Sequence, residues 1–199
     1  NRIMIPFFVF YSMFGFQRVG DLLWAAGDIQ ARGFLLGGTA GRTTLNGEGL
    51  QHEDGHSLLL ASTVPNCVSY DPAFGHEVAV IMQHGLKRMV QDQENVYYYL
   101  TLMNESYPMP GLKEGDEEGI WKGMYRFSEG AAGEHKVNLL GSGTILRESI
   151  AAQELLEKDW NISADVWSVT SFTEWRRAGL DVNRENLLNP SATQKVPYV

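Results

Sequence analysis

One stretch of the chain, residues 41–56, carries most of the side chains that could do chemistry. It reads GRTTLNGEGLQHEDGH, with two histidines, three carboxylates and an arginine set among glycines. Histidine and carboxylate side chains transfer protons and bind metals, and a glycine-rich backbone lets a loop close around a ligand. A polar surface loop with incidental histidines is the simpler alternative. The composition favours an active-site loop.

The end of this stretch matches the zinc-hydrolase pattern H-E-x-x-H through His52, Glu53 and His56. In that pattern a helix holds the two histidines on one face as metal ligands, and the glutamate acts as general base. Asp54 and Gly55 lower the helix propensity at the point where this geometry needs a helix. A zinc hydrolase therefore stays an alternative, and a loop without metal is the preferred interpretation.

The elements that precede the loop predict where it lies. Residues 3–11 form a continuous apolar and aromatic run, which is typical of a strand buried on both faces of a sheet. Residues 12–31 repeat apolar side chains at helical spacing, with Ser12 as the expected N-cap, and a second apolar run follows at 34–36. Strand, helix, strand and glycine-rich loop is the βαβ order. We therefore expect the loop at the carboxyl edge of a parallel sheet, where ligands bind.

Helices and strands continue to alternate through the rest of the chain, and a second α/β unit is expected to begin near His135. The turn Gly141-Ser142-Gly143 lacks the third glycine of a dinucleotide-binding fingerprint, so we expect it to serve only the passage from strand to helix. The periodicity predicts helices at 57–62, 74–90 and 144–160, and strands at 67–70, 96–103, 136–140 and 164–170.

Composition and charge exclude several classes of protein. With 199 residues, 44% of them hydrophobic, the chain can bury the core of one large or two small domains. A net charge of −8 with scattered Lys and Arg argues against nucleic acid or an anionic membrane as a partner. No apolar segment approaches the roughly twenty residues of a membrane span. The single cysteine, Cys67, excludes an internal disulfide, fits a reducing compartment and is expected to be a buried structural thiol.

Three segments together identify a family. YSMFGFQR at 11–18, the loop at 41–56 and three tyrosines at 97–99 closely resemble the homodimeric type of pyruvate dehydrogenase. Members of this family are the thiamine-diphosphate-dependent decarboxylating components of bacterial pyruvate dehydrogenase complexes. The resemblance runs through the whole chain, including SVTSFTE at 168–174.

The resemblance implies a transketolase-like α/β fold, in which a parallel sheet flanked by helices is followed by the start of a second α/β domain. Residues 1–131 are then expected to form most of the pyrimidine-binding middle domain, and residues 132–199 the beginning of the C-terminal domain. On this interpretation the chain is a fragment of a much larger subunit and is inactive alone.

The resemblance also implies roles for five residues. Phe14 would stack on the aminopyrimidine ring of thiamine diphosphate, and Tyr11 would line the same pocket. His52 would face the substrate side as a catalytic proton donor or hydrogen-bond partner. Arg18 would belong to a charged, water-filled path between two active sites, and Glu48 would lie close to the pocket.

Cofactors, partners and location are implied in the same way. The resemblance implies oxidative decarboxylation of pyruvate and reductive acetylation of a lipoyl group, leading to acetyl-CoA. The cofactors are thiamine diphosphate and Mg²⁺, with the magnesium ligands and the family's activating glutamate expected outside this chain. The expected partners are a second copy in a homodimer and the lipoyl-bearing dihydrolipoamide acetyltransferase core, in the bacterial cytoplasm. A non-catalytic α/β binding module and a decarboxylase for another 2-oxo acid stay as alternatives.

Overall fold

The computed structural model describes residues 4–41 and 47–199. The first part contains β1 (Phe7–Tyr11), α1 (Gly15–Asp28), β2 (Phe34–Gly38), a 3₁₀ turn (Leu50–His52), α2 (Ser57–Ala61), β3 (Cys67–Tyr70), α3 (Gly75–Leu86), a π-helical turn (Lys87–Gln91) and β4 (Tyr97–Thr101). The second part contains α4 (Glu117–Lys122), β5 (Tyr125–Ser128), β6 (His135–Gly141), α5 (Ile145–Trp160), β7 (Ile162–Ser168) and α6 (Phe172–Leu188). None of the described helices has the length and apolar character needed to cross a lipid bilayer.

The first sheet contains β1 to β4 in the order β1-β2-β4-β3, and every neighbouring pair is parallel. Tyr11 at the end of β1 is in register with Gly38 at the end of β2, so both strands finish at the same edge. Residues 47–56 follow β2 at this edge. The expected βαβ unit, with a loop at the carboxyl end of a parallel sheet, is confirmed.

Helices cover both faces of this sheet. On β4, Tyr97 and Tyr99 lie on one face, and Tyr98 and Leu100 lie on the other, because successive side chains of a strand alternate. The first face packs against α1 and α2 through Phe16, Leu23 and Ala61. The second packs against α3 and α4 through Val80, Ile81 and Ile120. The parallel sheet flanked by helices is therefore the predicted architecture.

Two predictions near the first strand are wrong. β1 is not buried on both faces, since Phe8 and Val9 are 60% and 65% exposed. Among the described residues β1 pairs only with β2 and lies at the sheet edge, and an apolar run does not reveal which strands have neighbours. Ser12 is not the N-cap of α1, because the chain first makes a turn and Phe14 occupies the cap position.

The second sheet has the order β5-β7-β6, with β6 and β7 parallel and β5 antiparallel to β7. The predicted strands at 136–140 and 164–170 and the helix between them are confirmed within a few residues. Two elements of this part, β5 and α6, were not predicted from the sequence; β5 is only four residues long. The proposed domain boundary between residues 131 and 132 stays a prediction.

Two buried carboxylates connect the first part of the chain to the second sheet. Glu77 on α3 is fully buried and accepts hydrogen bonds from Tyr125 Oη on β5 (2.8 Å) and Ser168 Oγ on β7 (2.6 Å). Asp71, which follows β3, accepts a hydrogen bond from Ser142 Oγ in the turn after β6 (2.9 Å). A buried carboxylate is stable only when hydrogen-bonded, so these contacts restrict how the two sheets can be arranged.

Candidate active site

Tyr11 and Phe14 lie where the first strand turns into the first helix. The amide of Phe14 donates to the carbonyl of Tyr11 (2.9 Å), and the amide of Ser12 donates to the carbonyl of Gly38 (3.0 Å). This turn is therefore held against the end of β2. It brings the two aromatic rings together, with centroids 5.7 Å apart and planes tilted by 41°.

His52 reaches the same place from the loop after β2. It is the last residue of the 3₁₀ turn, and its ring centroid lies 5.5 Å from that of Tyr11 and 5.6 Å from that of Phe14. The contact with Phe14 is edge to face, an arrangement that aromatic rings favour. Tyr11, Phe14 and His52, which we call the aromatic cluster, thus meet at the carboxyl edge of the first sheet.

Arg18 and Glu48 flank the aromatic cluster with opposite charges. The guanidinium carbon Cζ of Arg18 lies 4.0 Å from the centre of the Phe14 ring, at the distance of a cation–π contact. The carboxylate oxygen Oε2 of Glu48 lies 3.1 Å from Nδ1 of His52. The structure therefore brings all five residues implied by the resemblance into one group.

The His52 ring has an unused polar atom. Its Nδ1 is buried and makes no hydrogen bond within the described part of the chain, although the Glu48 carboxylate lies 3.1 Å away. The side chain as a whole is 26% exposed, and Tyr11 is 39% exposed. Buried polar atoms without partners are rare in folded proteins. The site can thus present aromatic surfaces, a histidine nitrogen and a carboxylate to a flat ligand.

The backbone does not support the zinc-hydrolase pattern. His52 ends the 3₁₀ turn, Glu53 is extended with ψ of 109°, and His56 precedes α2. The two histidines are therefore not one turn apart on a single helix, which the pattern requires. Among the described residues, no three His, Cys, Asp or Glu side chains are grouped to hold a metal ion. Residues 42–46 of the loop, including Arg42 and Asn46, lie outside the described part.

Three buried residues that follow or contact the His52 segment were not predicted as part of the site: Asp54, Ser57 and Tyr99. Asp54 accepts hydrogen bonds from the amides of His56 (3.1 Å) and Ser57 (2.9 Å), and also from Ser57 Oγ. Ser57 Oγ in turn accepts a hydrogen bond from Tyr99 Oη (2.8 Å). An aspartate that accepts the amide two residues on forms an Asx turn, which is a recognisable local signal, but the tyrosine that completes the set comes from a distant strand.

Cys67 is not part of this site. The residue is 1% exposed and packs in the same core cluster as Tyr97. Burial raises the pKa of its thiol to about 12, so the thiolate that a nucleophile needs is scarce at neutral pH. The prediction of a buried structural thiol is confirmed.

Two protein-family models match the chain. The model described as pyruvate dehydrogenase E1 component, middle domain, matches residues 1–110. The model described as transketolase-like TK C-terminal domain matches residues 123–197. The aromatic cluster and its charged neighbours all fall within the first match.

Known proteins and structures agree with these matches. The pyruvate dehydrogenase E1 component of Escherichia coli (strain K12) is 62% identical over 200 residues, covering 100% of this chain and 22% of that protein. The E1 component of Pseudomonas aeruginosa is 60% identical, covering 100% of this chain and 23% of that protein. The chain thus spans less than a quarter of the length of these relatives. A transketolase structure from Leishmania mexicana superposes with a TM-score of 0.68 at 15% identity, covering 87% of this chain and 24% of the other, and so supports the fold alone.

Proposed function

The chain belongs to the pyruvate dehydrogenase E1 component family, and we propose that it forms the pyrimidine-binding wall of a thiamine diphosphate site that decarboxylates pyruvate. The observation that carries this proposal is the meeting of Tyr11, Phe14 and His52 at the carboxyl edge of a parallel sheet. Ligands of open α/β sheets bind at this edge.

The residues of the aromatic cluster fit the ring end of this cofactor. The partly exposed rings of Tyr11 and Phe14 suit a flat aminopyrimidine, because aromatic faces stack on planar ligands. The Nδ1 of His52 is buried and lies 3.1 Å from the Glu48 carboxylate, and the histidine ring can present a nitrogen to a polar group of the cofactor or substrate. When bound, thiamine diphosphate supplies the electron sink that decarboxylation of a 2-oxo acid needs.

In this proposal each residue of the site has a separate role. Phe14 holds the plane of the ring, and Tyr11 closes the pocket beside it. His52 donates a proton or a hydrogen bond on the substrate side, and the Glu48 carboxylate lies 3.1 Å from its Nδ1. Arg18 belongs to a charged path that leads away from the pocket.

The proposed activity also needs groups and partners beyond the aromatic cluster and its charged neighbours. We propose that Mg²⁺ ligands and the activating glutamate come from other regions of the full-length protein. Residues 1–131 belong to the middle domain, and residues 132–199 begin the C-terminal domain. The full-length protein acts as a homodimer in the bacterial cytoplasm and transfers the acetyl group to the lipoyl group of the acetyltransferase core.

The experiment that tests this proposal is pyruvate decarboxylation by the full-length protein carrying His52→Ala, with thiamine diphosphate and Mg²⁺ added. We expect turnover to fall by more than about tenfold, equivalent to about 1.4 kcal/mol of activation free energy. His56→Ala is the matched control, because this exposed histidine of the same loop lies outside the aromatic cluster and should leave turnover unchanged.

Other outcomes of the same experiment contradict the proposal. If His52→Ala leaves turnover unchanged, the loop has no catalytic role, as expected of a non-catalytic module. Stoichiometric zinc in the wild-type protein, with activity lost on adding a chelator, would support the zinc-hydrolase interpretation instead. Turnover of a different 2-oxo acid in place of pyruvate would keep the cofactor site and change the substrate.

A further inference from the structure

The ring of Tyr99 packs against two residues that flank the turn carrying Tyr11 and Phe14. It is fully buried, stacks on Phe10 with centroids 5.9 Å apart, and meets Phe16 edge to face at 5.0 Å. Phe10 comes one residue before Tyr11, and Phe16 comes two residues after Phe14. The tyrosine therefore supports the strand-to-helix turn that carries two members of the cluster.

The hydroxyl of Tyr99 supports the other side of the site. It donates to Ser57 Oγ at 2.8 Å, and Ser57 Oγ donates to the carboxylate of Asp54. The same carboxylate accepts the amides of His56 and Ser57, so the segment just after His52 is fixed to β4. Burial raises the pKa of Tyr99 well above its usual value, which keeps the proton on the hydroxyl that donates it.

A glycine on β2 leaves room for this contact. A Cβ atom at Gly37 would lie 2.5 Å from Tyr99 Oη and 2.9 Å from Cβ of Ser12. Such distances are far below ordinary contact distances. A side chain larger than glycine at position 37 would therefore displace the Tyr99 hydroxyl from its position beside Ser57. The hydroxyl contact therefore depends on Tyr99 of β4 and Gly37 of β2 as well as on Ser57, which follows the loop.

His52 itself has few contacts that hold it in place. Its amide donates to the carbonyl of Gly49 (2.9 Å), but its Nδ1 makes no hydrogen bond within the described residues. Its ring touches only the edges and faces of Tyr11 and Phe14 among the described aromatic contacts. The nearest buried polar anchor is Asp54, two residues along the chain.

We propose that Tyr99 is a positioning residue, which through Ser57 and Asp54 holds His52 against Phe14 in the geometry that catalysis needs. This inference rests on the proposed function of His52, and it adds a residue that does not touch the cofactor or substrate. One side chain then supports both halves of the site, because its ring packs on Phe10 and Phe16 beside the strand-to-helix turn and its hydroxyl donates to Ser57 after the His52 segment. A displacement of about 1 Å in a catalytic group can cost about a hundredfold in rate, so such an anchor matters.

The test compares Tyr99→Phe with Tyr97→Phe in the full-length protein. Tyr97 is a matched control, because it lies on the same face of the same strand, is buried, and donates one hydrogen bond, to the carbonyl of Leu23 (3.0 Å). We expect Tyr99→Phe to lower kcat for pyruvate by about tenfold with little change in KM, and Tyr97→Phe to leave both unchanged. Both variants lose one buried hydrogen bond and should lose similar stability.

A second readout does not depend on activity. Hydrogen–deuterium exchange of the amides of His56 and Ser57 should become about fivefold faster in Tyr99→Phe and stay unchanged in Tyr97→Phe, because only the former loosens Asp54. Ser57→Ala breaks the same connection from the loop side and should reproduce the change in kcat. If wild-type protein does not decarboxylate pyruvate, the proposed function fails, and exchange alone decides whether Tyr99 positions the loop.

A double-mutant cycle separates positioning from a general loss of structure. If Tyr99 acts through His52, then Tyr99→Phe should have almost no further effect on turnover in a His52→Ala background. An equal fold-loss of kcat in the wild-type and His52→Ala backgrounds would overturn the inference. Unchanged exchange at His56 and Ser57 in Tyr99→Phe would overturn it as well.

Discussion

The rings of Phe14 and His52 meet edge to face, with their centroids 5.6 Å apart and their planes at 66°. One ring belongs to the turn between the first strand and the first helix, and the other belongs to the loop after the second strand. Parallel strands that end at the same sheet edge bring such distant segments together. This contact is the core of the site proposed for thiamine diphosphate.

Replacing Phe14 tests whether its ring contributes to cofactor binding. Phe14→Leu keeps an apolar side chain of similar size but removes the aromatic face, and stacking is worth about 0.5–1.5 kcal/mol beyond buried area. We expect the Kd for thiamine diphosphate to rise by about two- to tenfold, measured by titration of the full-length protein. Phe172→Leu, at an exposed phenylalanine on α6, is the control and should leave the Kd unchanged. Equal affinities for all three proteins would remove Phe14 from the site.

The pKa of Cys67 predicts how its thiol reacts. Thiolate is the reactive form, and a pKa of about 12 leaves almost none of it at pH 7. We expect iodoacetamide to leave Cys67 unmodified in folded protein and to modify it rapidly after denaturation, as followed by mass spectrometry of the peptide that contains it. Modification of the folded protein at the rate of a free thiol would show that the residue is accessible.

Glu77 is expected to be important for stability rather than catalysis. Glu77→Gln replaces one carboxylate oxygen, an acceptor, by an NH2 group, a donor, in a fully buried site that accepts hydrogen bonds from Tyr125 and Ser168. A hydrogen bond to a charged group contributes about 1.5–3 kcal/mol, so we expect a loss of about 2 kcal/mol in the free energy of unfolding. Chemical denaturation followed by circular dichroism measures this loss.

Glu118→Gln is the comparison for the Glu77 variant. Its carboxylate lies 2.7 Å from Lys122 Nζ, but the side chain is 65% exposed. A surface ion pair of this kind on a helix contributes less than about 0.5 kcal/mol. A similar loss of stability in the two variants would contradict the importance that we assign to burial.

Asp165 on β7 predicts a dependence of stability on pH. Its pKa is lowered by a hydrogen bond from the amide of Gly130, and by the nearby Lys136 and Arg126. A pKa that is lower in the folded state stabilises the fold above the unfolded value of about 4, and this contribution is lost as the pH falls toward the folded value. We therefore expect wild type to be more stable than Asp165→Asn near pH 6, with the difference shrinking below about pH 4.

Unfolding curves of the two proteins between pH 6 and pH 3 check this prediction. Lys136→Met should reduce the effect, because it removes the ammonium 2.9 Å from the Asp165 carboxylate. A difference between wild type and Asp165→Asn that stays constant over the whole range would show that the folded and unfolded pKa values of Asp165 are equal.

Much of the first sheet and its helices could be predicted from periodicity alone. The run at 34–36, the helical spacing after Ser12 and the glycine-rich loop follow the βαβ order, and this order places the loop at the carboxyl edge. The first strand was harder, because hydrophobicity shows what a segment can bury and not whether it has two neighbours. Strand β5 was not predicted; it pairs antiparallel with β7, a partner distant in the sequence that a local pattern does not reveal.

The sequence by itself determined the fold class and, through a resemblance, which five side chains belong to the candidate site. Local patterns suffice for the fold class, since strand and helix periodicities depend on residues that are near one another in the chain. Only the tertiary structure decided that His52 touches Phe14 and that the Tyr99 hydroxyl donates to Ser57. Those contacts join distant segments, and their geometry depends on strand register and on the space left by Gly37, neither of which a local pattern contains.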